Sequence, residues 1–219
     1  MLLLVFTAGS LVALRRPWVG AILWTWTSLM SPHALFGYAV ASMPVATGIA
    51  ACTLIGLLLT KERQNPFIGL PMLLTLVFSA WICITLPFSF YFDASLKLWE
   101  RSIKIFIMLF VTVALINDRR KLQFFIWTLV ISIGFFGVKG GLFTILTAGN
   151  YRIWGPGGFI GGNNELALAL ILVIPLMRYL QTQYTNRWVQ LGLTAAMALS
   201  ALAALGTYSR GALIGIAAM

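Results

Sequence analysis

The sequence predicts an all-α fold: a polytopic bundle of transmembrane helices, with about eight spans and the start of a ninth. Three observations lead there. Of 219 residues, 60% are hydrophobic and only 9% are charged, where a soluble domain would carry about 25% charged residues. Mean hydropathy is +0.94. The apolar residues form long runs separated by short charged turns, without the alternation over about ten residues that marks a membrane β-barrel strand. A chain with so little charge cannot cover itself with a water-facing surface, so lipid must supply most of its solvent. No stretch reads as a soluble domain or a long linker, and residues 1–219 are expected to form a single transmembrane domain.

The elements follow from where the charges fall. Leu2 to Leu14 is the first apolar run, closed by Arg15 and Arg16. It is short for a crossing at about 1.5 Å per residue, so it is expected to lie in a thin or locally defective stretch of bilayer. Pro17 to Thr60 holds no Asp, Glu, Lys or Arg and is long enough for two crossings. Their break is expected at Ser31-Pro32-His33, because proline disfavours helix at the residue before it. After the turn Lys61-Glu62-Arg63, Gln64 to Phe92 holds one span that ends near Pro87. Asp93 to Lys104 is polar, DASLKLWERSIK, and Ile105 to Ile116 completes a span that begins earlier. Asn117 to Lys121 is a second charged turn. Leu122 to Val138 spans, Lys139-Gly140-Gly141 interrupts, and Leu142 to Ala148 resumes. A polar, glycine-rich loop follows, YRIWGPGGFIGGNNE, residues 151–165. Leu166 to Met177 is apolar, a loop with Arg178 and Arg187 comes next, and Trp188 to Tyr208 spans. After Ser209-Arg210-Gly211 the residues GALIGIAAM are too few to cross a bilayer. They read as the start of a ninth span, with these residues the N-terminal part of a longer protein.

Charge placement sets the expected topology. Formal net charge is +10. The cations sit in short loops, with no basic stripe interleaved with aromatics, which argues against nucleic acid as a partner. Arg15, Arg16, Lys61, Arg63, Arg119, Arg120, Lys121, Arg178 and Arg187 are nine of the 15 Lys and Arg residues. Placing them in the cytoplasm follows the positive-inside rule and puts the N-terminus outside. The other side then receives Lys97, Arg101, Lys104, Arg152 and Arg210, with Lys139 near it. Orientation does not need cations there, so they call for another explanation.

Arg210 opens a helix at that outer side, and backbone N–H groups beside an arginine make an anion site. Arg152 lies within the glycine-rich loop. Lys97 and Arg101 are four apart and share a helix face. The plainer reading of such cations, and of Lys104 above all, is snorkelling at the interface. Asn163, Asn164 and Glu165 precede an apolar run. They suit either helix capping and dipole compensation or contact with a sugar or acceptor. GGFIGG lacks the preceding strand of a dinucleotide fingerprint; its glycines suit close backbone approach. The alanines from Ala195 to Ala204, with Ser200 and Gly206, let the eighth span approach its neighbours closely and favour a central place. His33 is the one histidine, read as an interfacial hydrogen bonder, and no catalytic triad or metal cluster can be assembled around it. Cys52 and Cys83 sit in apolar runs as small packing residues.

In chain order, PWVGAILWTWTSLMSPH, WERSIKI, INDRRKL, GFFGVKGGLFTILTAGNYRIWGPGGFIGGNNELALAL and TYSRGALIG resemble the N-terminal part of the O-glycosylation ligases associated with the exosortase A system. These belong to the O-antigen ligase and polymerase superfamily. The resemblance implies a bacterial inner-membrane glycosyltransferase, active on the periplasmic face. It would move a glycan from an undecaprenyl-diphosphate carrier to an acceptor hydroxyl of a protein or polysaccharide, with no metal, nucleotide or other cofactor. Arg210 matches the arginine of the SRG element and Arg152 lies in the matching outer loop, so both are expected to hold the carrier diphosphate. Lys97, Arg101 and Lys139 are further candidates for that charge. Asn163, Asn164 and Glu165 are candidates for the cavity wall. The resemblance places the catalytic histidine in a later periplasmic loop, beyond Met219, and not at His33. One departure stands out: Gly162 occupies the position before the paired asparagines where the family has an acid, and Glu165 follows them. The pattern leaves ligase and polymerase undivided. A transporter or flippase for an anionic or lipid-linked solute would use the same cations, with breaks near Pro32 and Gly140-Gly141. A purely structural membrane subunit would explain the hydrophobicity but not the outer arginines.

Overall fold

The structure, a computed structural model, describes residues 2–32 and 45–219. Among them every regular element is helical, and there is no strand. The α-helices are α1 (Leu2–Arg15), α2 (Pro17–Met30), α3 (Val45–Leu59), α4 (Leu70–Thr85), α5 (Phe92–Leu115), α6 (Arg119–Leu146), α7 (Asn163–Gln183), α8 (Arg187–Gly206) and α9 (Arg210–Ala217). Single 3-10 turns lie at Leu86–Phe88 and Gly158–Ile160. Among the described residues, four segments are long and apolar enough to cross a membrane: Leu70–Phe88, Arg119–Leu146, Asn163–Gln183 and Arg187–Gly206. α1 and α2 have 14 residues each. That is about 21 Å at 1.5 Å per residue, short of a hydrocarbon core of about 30 Å.

The chain forms two compact units: Met1–Leu23 with Thr47–Leu122, and Trp24–Ala46 with Gln123–Met219. In the first, the α1–α2 corner packs on α3. A Cβ on Gly56 would lie 2.5 Å from the Ala13 carbonyl oxygen, and one on Gly20 would lie 2.7 Å from the Ala13 Cβ. Only glycine permits backbones this close. The C-terminal end of α5 leaves carbonyls without helical partners, and Gln64 satisfies them. Its N–H donates to the Ala114 carbonyl at 3.0 Å. Its Nε2 donates to the carbonyls of Val113 at 2.7 Å and Ile116 at 3.3 Å. The loop after α3 is thereby tied to the turn after α5.

In the second unit α6, α7 and α8 share a core that includes Val130, Ile133, Leu170, Val173, Met177 and Ala203. Lipid is as apolar as these side chains, so burial from water cannot drive their association. Close packing between small residues can. Gly134, Gly137, Gly140 and Gly141 of α6 are all buried. Gly141 abuts the backbone of Leu199 in α8, and Gly137 abuts Ser200. This corrects the expectation that Lys139-Gly140-Gly141 interrupts a span. α6 runs unbroken for 28 residues, because the glycines are stabilised by a neighbouring helix instead of being exposed. The polar segment 93–104 is the first half of α5, a single helix of 24 residues, so the span completed by 105–116 does begin earlier. At the other end of the unit, Asn186 caps α8 by accepting from the Trp188 N–H at 2.9 Å. Trp127 Nε1 donates to the Tyr184 hydroxyl at 2.9 Å, pinning the α7–α8 turn to α6. The small residues of α8 lie inside, with Ser200, Ala203, Ala204 and Gly206 buried. The break expected near Pro32 is partly visible: α2 ends at Met30 and Ser31 takes φ 45°. His33 lies outside the described residues.

Candidate functional site

The glycine-rich loop and the α8–α9 turn build one site at one end of the second unit. α6 closes through Ala148 and Gly149, both at positive φ, 47° and 74°. The chain is then stitched to the end of α8, with the Ile153 N–H donating to the Gly206 carbonyl at 3.0 Å. The buried Ile153 side chain lies over Gly140 and Gly206, where a Cβ would come within 3.3 and 2.9 Å of its Cδ1. With Ile153 held inside, its neighbours Arg152 and Trp154 are exposed. Farther along, a Cβ on Gly155 would meet the Ile160 carbonyl carbon at 2.6 Å, so the loop folds tightly upon itself.

The α8–α9 turn is held from within. Thr207 is fully buried, its hydroxyl donates to the Ala204 carbonyl at 2.6 Å, and the Ser209 N–H donates back to it at 3.2 Å. Between them Tyr208 takes φ 55° and its hydroxyl donates to the Gly149 carbonyl. Asn163 Nδ2 donates to the Thr207 carbonyl at 3.0 Å, joining the start of α7 to the end of α8. Asn163 is therefore not the N-cap of α7. The N-cap is Gly162, which has no side chain to cap with.

These segments enclose a cavity of about 600 Å³ lined by Arg152, Asn163, Asn164, Tyr208, Ser209 and Arg210, among others. Two arginines and two asparagines, far apart in sequence, thus face one space, and among the described residues no acidic one lines it. Arg210 is the first residue of α9 and is exposed. Its guanidinium has no hydrogen-bond or ion-pair partner among the described residues. Arg152 Cζ lies 5.9 Å from the ring centroids of both Trp154 and Tyr208. Each such contact is worth about 0.5–1 kcal/mol at an exposed site, enough to steer the guanidinium without neutralising it. The starts of α7 and α9 at this cavity have no side-chain cap bond. Their first N–H groups and positive dipole ends add to the arginines. In chemical terms this is an anion site with amide donors beside it.

Arg152 also borders a second, mainly apolar cavity of about 640 Å³, lined by Lys139, Phe136, Phe143, Leu146 and Trp154 among others. Lys139 is exposed there, on the unbroken α6. Glu165 is in the first turn of α7 and lines neither cavity. Its carboxylate folds back over Gly162, where a Cβ would lie 2.9 Å from the Glu165 Cδ. Lys97 and Arg101 are exposed on α5 of the first unit and line neither cavity. Sequence reasoning missed Tyr208, Trp154 and Ser209. The signal for the aromatics was present, since each arginine lies two residues from one, in RIW and YSR, but nothing in the sequence joins Tyr208 to Arg152.

A model of DUF5935, described as a family of unknown function, matches residues 1–185. That stretch includes Arg152, Asn163 and Asn164 and stops before Arg210. No curated protein and no solved structure matches the chain.

Proposed function

The chain belongs to the DUF5935 family, whose function is unknown, and we propose that it is a membrane glycosyltransferase of the O-antigen ligase type. It transfers a glycan from an undecaprenyl-diphosphate carrier to an acceptor hydroxyl on a protein or polysaccharide. The observation that carries this reading is the cavity shared by Arg152, Arg210, Asn163 and Asn164, with no acid among the described residues that line it and bordered by two uncapped helix starts. In the reaction the acceptor oxygen bonds to the anomeric carbon, the bond from that carbon to the diphosphate breaks, and negative charge grows on the leaving oxygen. Arg152 and Arg210 stabilise that charge, while the asparagines offer amide hydrogen bonds to sugar hydroxyls. The adjoining apolar cavity suits the start of the carrier's lipid chain, with Lys139 at its border. No residue of these cavities is assigned as the acceptor of the hydroxyl proton; the family resemblance places a catalytic histidine in a later loop. Lys97 and Arg101 act, in this reading, as interfacial cations outside the site.

The site faces the periplasm of the bacterial inner membrane and the basic turns face the cytoplasm. Support comes from α6, which carries Arg119, Arg120 and Lys121 in its first turn and leads, after 28 residues, into the glycine-rich loop. A transporter gains no support from Gly140-Gly141, since α6 is continuous there.

The test is glycan transfer by the intact protein in cells lacking the native copy. Arg210→Ala and Arg152→Ala should each lower transfer by about 10²-fold or more, with membrane levels unchanged. Normal transfer by both variants would overturn the assignment. Solute flux in vesicles without a new glycosidic bond would replace it with transport.

A further inference from the structure

The first unit carries a separate cavity that the proposed transferase does not use. It measures about 310 Å³ and is lined by Arg15, Arg16, Trp18, Thr60, Glu62 and Lys121, among others. Three segments meet there: the α1–α2 corner, the turn after α3 and the start of α6. The corner is set by the contact of Ala13 and Pro17 with Gly56. The turn is set by Gln64 on the end of α5, and by Asn117, whose Nδ2 donates to the Glu62 carbonyl at 3.4 Å. Lys121 Nζ donates to Asn117 Oδ1 at 2.8 Å and lies 3.5 Å from Glu62 Oε2. The Lys121 ammonium and the backbone of the turn are therefore held by the fold.

The charges are not balanced. Three cations face one carboxylate, so the lining carries a net +2. Glu62 is committed to Lys121, whose side chain is only 16% exposed. Arg15 and Arg16 are exposed, and neither guanidinium has a hydrogen-bond or ion-pair partner among the described residues. Two unpartnered guanidiniums over a fixed ammonium favour a group with several anionic oxygens in a small volume, which is a phosphate. Trp18, which also lines the cavity, is the residue type that sits at the headgroup level of a bilayer. Basic pockets between helices at a membrane surface take phospholipid headgroups.

We propose that this cavity is a phosphate site, filled either by the headgroup phosphate of an anionic phospholipid or by free inorganic phosphate. It is independent of the transferase reading. Occupied by a lipid, it would fasten the three segments to one leaflet and fix the orientation of the unit.

Native mass spectrometry of the intact protein in detergent tests this, with phosphatidylglycerol, phosphatidylcholine and inorganic phosphate added in turn. Preference for phosphatidylglycerol identifies the lipid as the source, and saturable binding of phosphate alone identifies the free anion. Arg15→Gln with Arg16→Gln should weaken whichever binds by about thirtyfold, as expected for two arginines at an anionic surface. Glu62→Gln, at a position 79% exposed and so safe for folding, should tighten it by releasing Lys121. Equal retention of both lipids with no phosphate binding would overturn the proposal. So would affinity unchanged in the double variant or weakened by Glu62→Gln.

Discussion

The most apolar stretches of the spans at α4 and α6 have the same mean hydropathy, yet 6% of the first is buried against 39% of the second. The difference lies in glycine. α4 has none in its 16 residues and shows Leu73, Leu74, Val77, Phe78 and Trp81 to the outside. α6 buries four. Hydropathy reports whether a helix can enter lipid; it does not report which helices touch once there. In a solvent as apolar as the side chains, contact is decided by how near two backbones can come. The same difference separates a helix that meets mostly lipid from one that supports a site, because Gly140 on α6 seats Ile153 and so aims Arg152.

The strongest way to break this contrast is Gly141→Val. A Cβ there would lie 2.8 Å from the Leu199 Cα, and a helix backbone cannot step aside. Overpacking of this kind should cost about 3 kcal/mol, read as a large drop in thermal midpoint in detergent. A stable variant would mean that α6 and α8 are not packed through this glycine. Gly137→Ala is milder, since its Cβ would meet the Ser200 side chain, with the Ser200 Cβ at 2.9 Å. About 1–2 kcal/mol is expected, and distinctly less when Ser200 is also changed to Gly; a double-mutant cycle without coupling would show that the two residues do not touch. The smallest effect should come from α4. Leu74 is 57% exposed, so Leu74→Ala should shift stability by no more than about 0.5 kcal/mol. A loss like that of a core leucine would reveal a partner on this face.

Much of the fold was legible because charge and proline are local signals. The turns at 61–63 and 117–118, the end of α2 before Pro32 and the opening of α9 at Arg210 follow from residues at those places, although Arg119, Arg120 and Lys121 open α6 instead of extending the turn. The two misread segments, 139–141 and 178–183, have a common cause. Glycines and charges suggest breaks, but α6 runs through the first and α7 runs on to Gln183 through the second. A helix tolerates charge on an exposed face, as at Arg178, and it tolerates glycine where a neighbouring helix fills the space. Within the site, Arg152 and Arg210 could be picked out as outer cations, and Asn163 as part of a loop. That Asn163 bonds to the Thr207 carbonyl, and that Glu165 turns back over Gly162, depended on where other segments arrived.

The amino-acid sequence by itself determined an all-helical, lipid-compatible chain and its runs of charge, because period, composition and length act within one segment at a time. Only the tertiary structure decided which cations share a space. Arg152 and Arg210 meet in one cavity, while Lys97 and Arg101 lie on a helix of the other unit, although all four carry the same charge and were expected on the same side. The physical reason is that a charge cannot specify its own neighbours in a chain packed by close backbone contact. The glycines at 140, 141 and 206, together with Ile153, determine the approach, and the arginines are carried to where that approach leaves them.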